Sequence, residues 1–392
     1  MNTARKASIP FAMPNINEEE INEVVDTLRS GWLTTGRKAK QFERDFIERL
    51  HCRYALAVNS ATAGLHLALD AIDIKAGDEV LTSPYTFTAT AEVIRYLGAD
   101  PIFVDIDPLT FNISPVELER ILKKTKQVKA IIPVHFAGQS CDMDAILNLT
   151  SSRKIKIVED AAHSLPTTYN NKFIGTIGDL TVFSFYVTKT ITTGEGGMVV
   201  TNDDHYASRI STMRLHGINS DVFDRYNSDN PKWYYEVVAP GFKYNMTDIA
   251  ASIGLHQLKK INNFQERRQW IAAQYSNSFQ NLPLRTPHVA RVGDIHAWHL
   301  YVIQLELEKL SISRNRFIEL MFEAGIGTSV HFIPLHLQPY WRDKYNLRPE
   351  DFPAAYDVYQ RAVSLPIYPK MSDDDVGQVI ETVQRLLIEY SK

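Results

Sequence analysis

The 392 residues, 44% hydrophobic and 22% charged, are enough to bury a large core and correspond to two or three domain-sized units. A net charge of −4 gives no general attraction to nucleic acid or to an anionic membrane, so any anion site must be local. Cys52 and Cys141 lack metal-ligand spacing and do not make a disulfide framework, which fits a reducing cytoplasm. The start, with Pro10 and Pro14 ahead of an acidic helix, lacks the apolar core of a signal peptide, and no run approaches the roughly 20 apolar residues that span a bilayer. No internal repeat or low-complexity tract is visible.

In chain order, Asn17 with Glu20 marks a capping box, and Ile21, Val24, Val25 and Leu28 follow at helical spacing until Gly31. Short apolar runs then read as strands at Tyr54–Val58, Glu79–Thr82, Ile102–Val104, Val128–Val134, Ile155–Val158, Thr181–Phe185 and Met198–Thr201. Between them, Leu65, Ala68, Leu69 and Ile72 trace one helix stripe, and Ser114-Pro115-Val116-Glu117 opens another helix. This rhythm predicts an α/β fold with a mainly parallel seven-stranded sheet covered by helices. A long helical pattern from Thr247 to Tyr275 links residues 1–262, the large domain, to a smaller C-terminal α+β domain at 263–392. There, Ala297–Leu307 reads as a strand, and Arg314–Glu323 and Asp373–Leu387 as helices.

The chemistry concentrates in two stretches. Asp160, in Val158-Glu159-Asp160-Ala161-Ala162-His163, follows a strand at the sheet edge where open α/β folds bind ligands. Lys189 lies in Ser184-Phe185-Tyr186-Val187-Thr188-Lys189, just before Gly194-Glu195-Gly196-Gly197. Together they read as a pyridoxal phosphate site: a lysine holds the aldehyde as a Schiff base, a carboxylate keeps the pyridine nitrogen protonated, and Ser184 reaches the phosphate. A lysine at its reference pKa of about 10.4 is neutral about once in a few thousand at pH 7, so the site must lower it, at about 4 kcal/mol. Asn59-Ser60-Ala61-Thr62-Ala63-Gly64, between strand and helix, would offer amides to an anion, although an ordinary N-cap explains the same residues. Phe87 either covers one cofactor face or is core. Twelve histidines without carboxylates at ligand spacing give no metal site.

These motifs, with Ser30-Gly31-Trp32-Leu33-Thr34-Thr35-Gly36, Pro133-Val134-His135-Phe136-Ala137-Gly138, Gly241-Phe242-Lys243-Tyr244-Asn245-Met246-Thr247-Asp248 and Gly327-Thr328-Ser329-Val330-His331-Phe332, make the chain resemble the DegT/DnrJ/EryC1/StrS family of sugar aminotransferases, of the aspartate aminotransferase fold (fold type I). The resemblance covers almost the whole chain. It implies that Lys189 carries the cofactor, Asp160 binds the ring nitrogen, His163 lies against or beside the ring, and Ala61, Thr62 and Ser184 hold the phosphate. Phe87 takes the position of the ring-stacking aromatic. Trp32, Thr34, Thr35 and His331 would line the substrate pocket, though His331 also reads as a satisfied strand residue. His135, His299 and His336 are weaker candidates for function than His331.

The resemblance further implies a cytoplasmic homodimer with shared active sites, in which the segment bearing Lys243 and Asn245 reaches the neighbour's cofactor. Much of the family has Asn and Arg at those two positions, and Lys243 also reads as a solvated charge. The substrates implied are L-glutamate and a nucleotide-linked ketosugar, for polysaccharide or lipopolysaccharide biosynthesis. The Lys-Tyr-Asn form, His296-Ala297-Trp298-His299 and Gly325-Ile326-Gly327-Thr328 look most like the branch forming UDP-4-amino-4-deoxy-L-arabinose, from which Phe87 and Gly194 depart. Two other readings are a sugar dehydratase on the same cofactor, opposed by Lys189 because related dehydratases carry histidine there, and a non-catalytic regulatory protein.

Overall fold

A computed structural model describes residues 8–125, 127–219 and 234–392. Local signals set the first elements. Helix α1 (Glu18–Ser30) starts where the Asn17 amide donates to the Glu20 carboxylate at 2.9 Å and stops at Gly31, whose φ of 74° few other residues adopt. Helix α2 (Arg37–Leu50) has no capping side chain of its own at Gly36. Asp248 supplies the cap from far along the chain: its carboxylate accepts the amides of Gly36 at 2.8 Å, Ala39 at 2.9 Å and Lys38 at 3.2 Å. Asp248 is 3% exposed. A Cβ at Gly36 would lie 2.6 Å from that carboxylate, which keeps the position glycine. We expect Asp248→Ala to lose about 3 kcal/mol or more in urea unfolding, with Asp248→Asn recovering part of it, because three amides would be left without their charged acceptor.

The main sheet comprises β1 (Tyr54–Val58), β2 (Glu79–Thr82), β3 (Asp100–Phe103), β4 (Val128–Ile132), β5 (Lys156–Asp160), β8 (Leu180–Ser184) and β9 (Gly197–Thr201), with a hairpin of β6 (Thr168–Tyr169) and β7 (Lys172–Phe173) beside it. The order is β1-β9-β8-β5-β4-β2-β3; β2 to β5 and β8 are parallel, and β9 runs antiparallel to both of its neighbours. Alternating residues feed opposite faces. Leu81, Ile131, Ile157 and Phe183 pack with Phe42 and Phe46 of α2 and with Leu118 and Ile146. Their neighbours Val80, Ile132, Val158 and Val182 pack on the other side with Leu65, Val93 and Ile210. Each such side chain contributes about 1.5–3 kcal/mol of burial, so both faces resist a register slip. Continuous apolar strands follow from that double coverage.

The long helix Asp248–Ser278 changes cores along its length. Leu255, Leu258, Ile261 and Phe264 belong to the large-domain core, whereas Ile271, Ala272 and Tyr275 belong to the core of the smaller unit. The expected boundary at 262 therefore falls within an unbroken helix. In the smaller unit, β10 (Leu284–Arg285), β11 (Tyr301–Leu305) and β12 (Ala362–Leu365) form an antiparallel sheet packed by the helices Arg314–Glu323 and Asp373–Glu389.

The expected strand Ala297–Leu307 is shorter, beginning only at Tyr301. Trp298 takes a φ of 47°, and the amides of Ala297 and Leu300 donate to the carbonyls of Gly138 and Ala137. Residues 297–300 are thus a turn locked against the large domain, not an extension of the sheet. Among the described residues, no helix is long and apolar enough to cross a membrane.

Candidate active site

The carboxyl ends of β1, β5 and β8 converge on a cavity of about 510 Å³, lined by Ala61, Thr62, Phe87, Asp160, His163, Ser184, Lys189 and His331 among others. Eight residues expected at the site from sequence thus meet in one place. Asp160 is the last residue of β5, and its main chain is fixed by two bonds to the segment after β4: its amide to the Pro133 carbonyl at 2.9 Å and its carbonyl to the His135 amide at 3.1 Å. One carboxylate oxygen accepts the Thr90 hydroxyl at 2.8 Å and the other the Ala162 amide at 3.1 Å. Burial raises its pKa against these two bonds and the Lys189 charge. The adjacent Glu159 points to the opposite face, where it pairs with His135 Nε2 at 2.8 Å and accepts Thr181 and Gly178. One of the two neighbouring acids is therefore structural.

Lys189 sits in the turn after β8. Its amide donates to the Tyr186 carbonyl at 2.8 Å, and the turn is closed by Phe185 N to Gly196 O and Thr193 N to Phe185 O, each 2.9 Å. Desolvation lowers the amine to about 8, with Asp160 opposing the shift. Burial, with Lys189 as a nearby positive charge, also keeps His163 neutral, and His331 falls to about 4 for the same two reasons. His331 Nδ1 lies 2.9 Å from the Ser364 hydroxyl, and its ring stacks on Phe11. Among the described residues lining the cavity, Lys189 is the only lysine or arginine.

The residues fit pyridoxal phosphate. Helix α3 (Ala61–Ala71) opens at the cavity, with Ser60 capping the Ala63 amide at 3.1 Å, and the first amides of a helix have no partner within it. Gly197 lies so close beneath this turn that a Cβ would come within 2.8 Å of the Ala61 nitrogen. Each Asp160 oxygen has a single protein partner, leaving room for a further proton donor such as a ring nitrogen. Among the described residues, no group of three or more His, Cys, Asp or Glu could hold a metal ion.

Trp32, Thr34, Thr35, Lys243 and Asn245 lie outside this cavity and together elsewhere. The Asn245 amide donates to the Thr35 hydroxyl at 2.5 Å, Thr35 donates to the Met246 carbonyl, Trp32 Nε1 donates to the Thr35 carbonyl, and the Thr34 carbonyl accepts the Asp248 amide. Lys243 is exposed, and its carbonyl accepts Asn59 Nδ2 at 3.3 Å. Thr90 and His299 also line the cavity without having been assigned to it from sequence. Thr90 carried no pattern signal, and His299 was hidden inside the expected strand.

Residues 14–384 match the DegT/DnrJ/EryC1/StrS aminotransferase family. The spore coat polysaccharide biosynthesis protein SpsC of Bacillus subtilis is 50% identical over 385 residues, 98% of each chain. Among solved structures, Spr1654 of Streptococcus pneumoniae, named as a sugar aminotransferase and solved in its PMP form, superposes with a TM-score of 0.90 at 34% identity, covering 97% of this chain and all of that one. A PLP form of the same protein gives 0.88. Helicobacter pylori PseC, an aminotransferase involved in the biosynthesis of pseudoaminic acid, gives 0.89 at 28% identity, with 97% of this chain and 100% of that chain covered.

Proposed function

The chain belongs to the DegT/DnrJ/EryC1/StrS aminotransferase family, and on that premise we propose that it moves an amino group from L-glutamate to a nucleotide-linked ketosugar. Its cofactor, pyridoxal phosphate, supplies when bound an aldehyde carbon for the amine and a ring that takes up the electrons released at the donor Cα. The observation that carries the proposal is Lys189 with Asp160 in one cavity.

With its pKa near 8, the Lys189 amine is neutral about once in ten at pH 7, against once in a few thousand in water. That suits it to hold the cofactor covalently and, once displaced, to take the proton from the donor Cα and return one in the acceptor half of the cycle. Asp160 holds the proton of the ring nitrogen. The Ala61 and Thr62 amides and the Ser184 hydroxyl orient the phosphate, and His163 and Phe87 bound the ring. His331 borders the space left for substrate.

The shortage of cations among the described residues of the cavity supports a homodimer with shared sites. A phosphate and the acid groups of glutamate need positive charge, and exposed Lys243, with Asn245, Trp32, Thr34 and Thr35, stands away from its own cavity. The likeness to SpsC supports a product made for a polysaccharide, and the lysine at 189, where related dehydratases carry histidine, disfavours a dehydratase.

Glutamate alone should bleach the yellow absorbance of the purified holoprotein and release one equivalent of 2-oxoglutarate. A panel of UDP-, GDP- and dTDP-linked ketosugars should then yield one aminated product by mass spectrometry. An unchanged spectrum would remove glutamate as donor; amination of none of the panel would remove the nucleotide-linked acceptor.

A further inference from the structure

His299 and His163 stand side by side on the cavity wall, ring centroids 4.4 Å apart at an angle of 44°, and are 5% and 6% exposed. Their protons can be located. The Ala137 amide donates to His163 Nδ1 at 3.2 Å, so that nitrogen is an acceptor and the proton of the neutral ring is on Nε2. In His299 it is Nδ1 that is sealed from solvent without a partner. A buried lone pair left unmatched is better tolerated than a buried N–H, which places this proton on Nε2 as well. Neither Nε2 has a hydrogen-bond partner among the described residues and neither is among the sealed atoms, so both open on the cavity.

The backbone holds His299 in this position at some cost. Trp298, just before it, is in the left-handed region, which costs a non-glycine residue about 1–3 kcal/mol. Arg268, 3% exposed, donates through Nη1 to the carbonyls of Trp298 at 3.1 Å, His299 at 3.4 Å and Ile367 at 2.8 Å. A sealed, unmatched imidazole nitrogen on a strained turn is a poor choice for stability alone, since an apolar ring would fill the same space without it.

We infer that His163 and His299 form a two-donor site, their Nε2–H groups directed at one negatively charged oxygen, a phenolate or carboxylate oxygen of what binds in the cavity. His331 differs, because the Ser364 hydroxyl beside its Nδ1 matches either tautomer. This inference rests on the cavity being the cofactor and substrate site.

The test compares His299→Phe, His299→Gln and His299→Asn in the full-length protein. Three quantities are read: the melting temperature without cofactor, the dissociation constant for pyridoxal phosphate, and the KM for the amino donor. Phe keeps a ring without a donor; Gln places an amide near Nε2, and Asn places one near Nδ1. We expect Phe to melt no lower than wild type, yet to lose about 10-fold or more in one affinity, with Gln retaining most of it and Asn not. A rise in the cofactor constant assigns the oxygen to the cofactor, and a rise in KM alone assigns it to the substrate carboxylate. Unchanged affinities in the Phe variant, or a Gln variant no better than Asn, overturn the two-donor site. A wild type that binds no pyridoxal phosphate would instead overturn the reading of the cavity, and this inference with it.

Discussion

Lys189→Met is expected to cut turnover by at least about 10⁴-fold while making the cofactor-free protein more stable at neutral pH. The loss follows because thioether sulfur neither condenses with an aldehyde nor carries a proton between carbons. The gain follows from burial. The folded protein lowers the amine to about 8, whereas the unfolded chain keeps the proton to about 10.4. Between those values the unfolded state binds more protons, so the Lys189 contribution to stability rises with pH across the window and is a penalty of up to about 3 kcal/mol below it. Asp160 loses its one nearby lysine in the variant, which offsets part of the gain. Urea unfolding of both cofactor-free proteins at pH 7 and pH 10 should therefore show the variant ahead at pH 7 and the difference shrinking by pH 10. Borohydride reduction of the wild type should fix the cofactor to the peptide containing residue 189. Fixation elsewhere, or identical pH dependence in the two proteins, would take Lys189 out of this role.

The sheet was legible because its strands are buried on both sides and so appear as unbroken apolar runs, and each of the seven is where such a run stands, within two residues at either end. Antiparallel β9 could not be told from its parallel neighbours, since hydrophobic runs carry no direction. Helix α2 went unnoticed as an element: its cap lies at Asp248, more than two hundred positions away, and no local signal marks Gly36 as a helix start. At the site, residues in ordered motifs were readable: Asp160, His163, Ser184, Lys189, Ala61 and Thr62 line the cavity as expected. Thr90 was not, because a threonine inside a helix announces nothing until a carboxylate is found 2.8 Å away. His299 was obscured by the apolar sequence around it, which predicts a strand; the turn exists because Ala297 and Leu300 find carbonyls in the 136–138 loop. Tertiary hydrogen bonds overrode local propensity there.

Asp160→Asn is expected to leave the fold and the cofactor phosphate contacts intact while slowing turnover by about 10²–10³-fold, the scale of losing one preorganised electrostatic partner. The side chain has the same shape, and its neighbours can accommodate it. The Ala162 amide still donates to the carbonyl oxygen, and the new amide donates to Thr90, whose hydroxyl then turns to Thr86 at 2.9 Å. What disappears is the negative charge that, in the proposed function, would make a proton on the ring nitrogen favourable and so let the ring take up electrons from the donor. A cofactor methylated at that nitrogen carries the positive charge permanently and needs no carboxylate to hold it. Reconstituted with it, the Asn variant should regain most of the lost rate in a single half-reaction with glutamate, whereas the wild type should gain nothing. If the methylated cofactor rescues neither the rate nor the bleaching by glutamate, Asp160 acts through structure alone, and the electrostatic account of the site fails at its second residue.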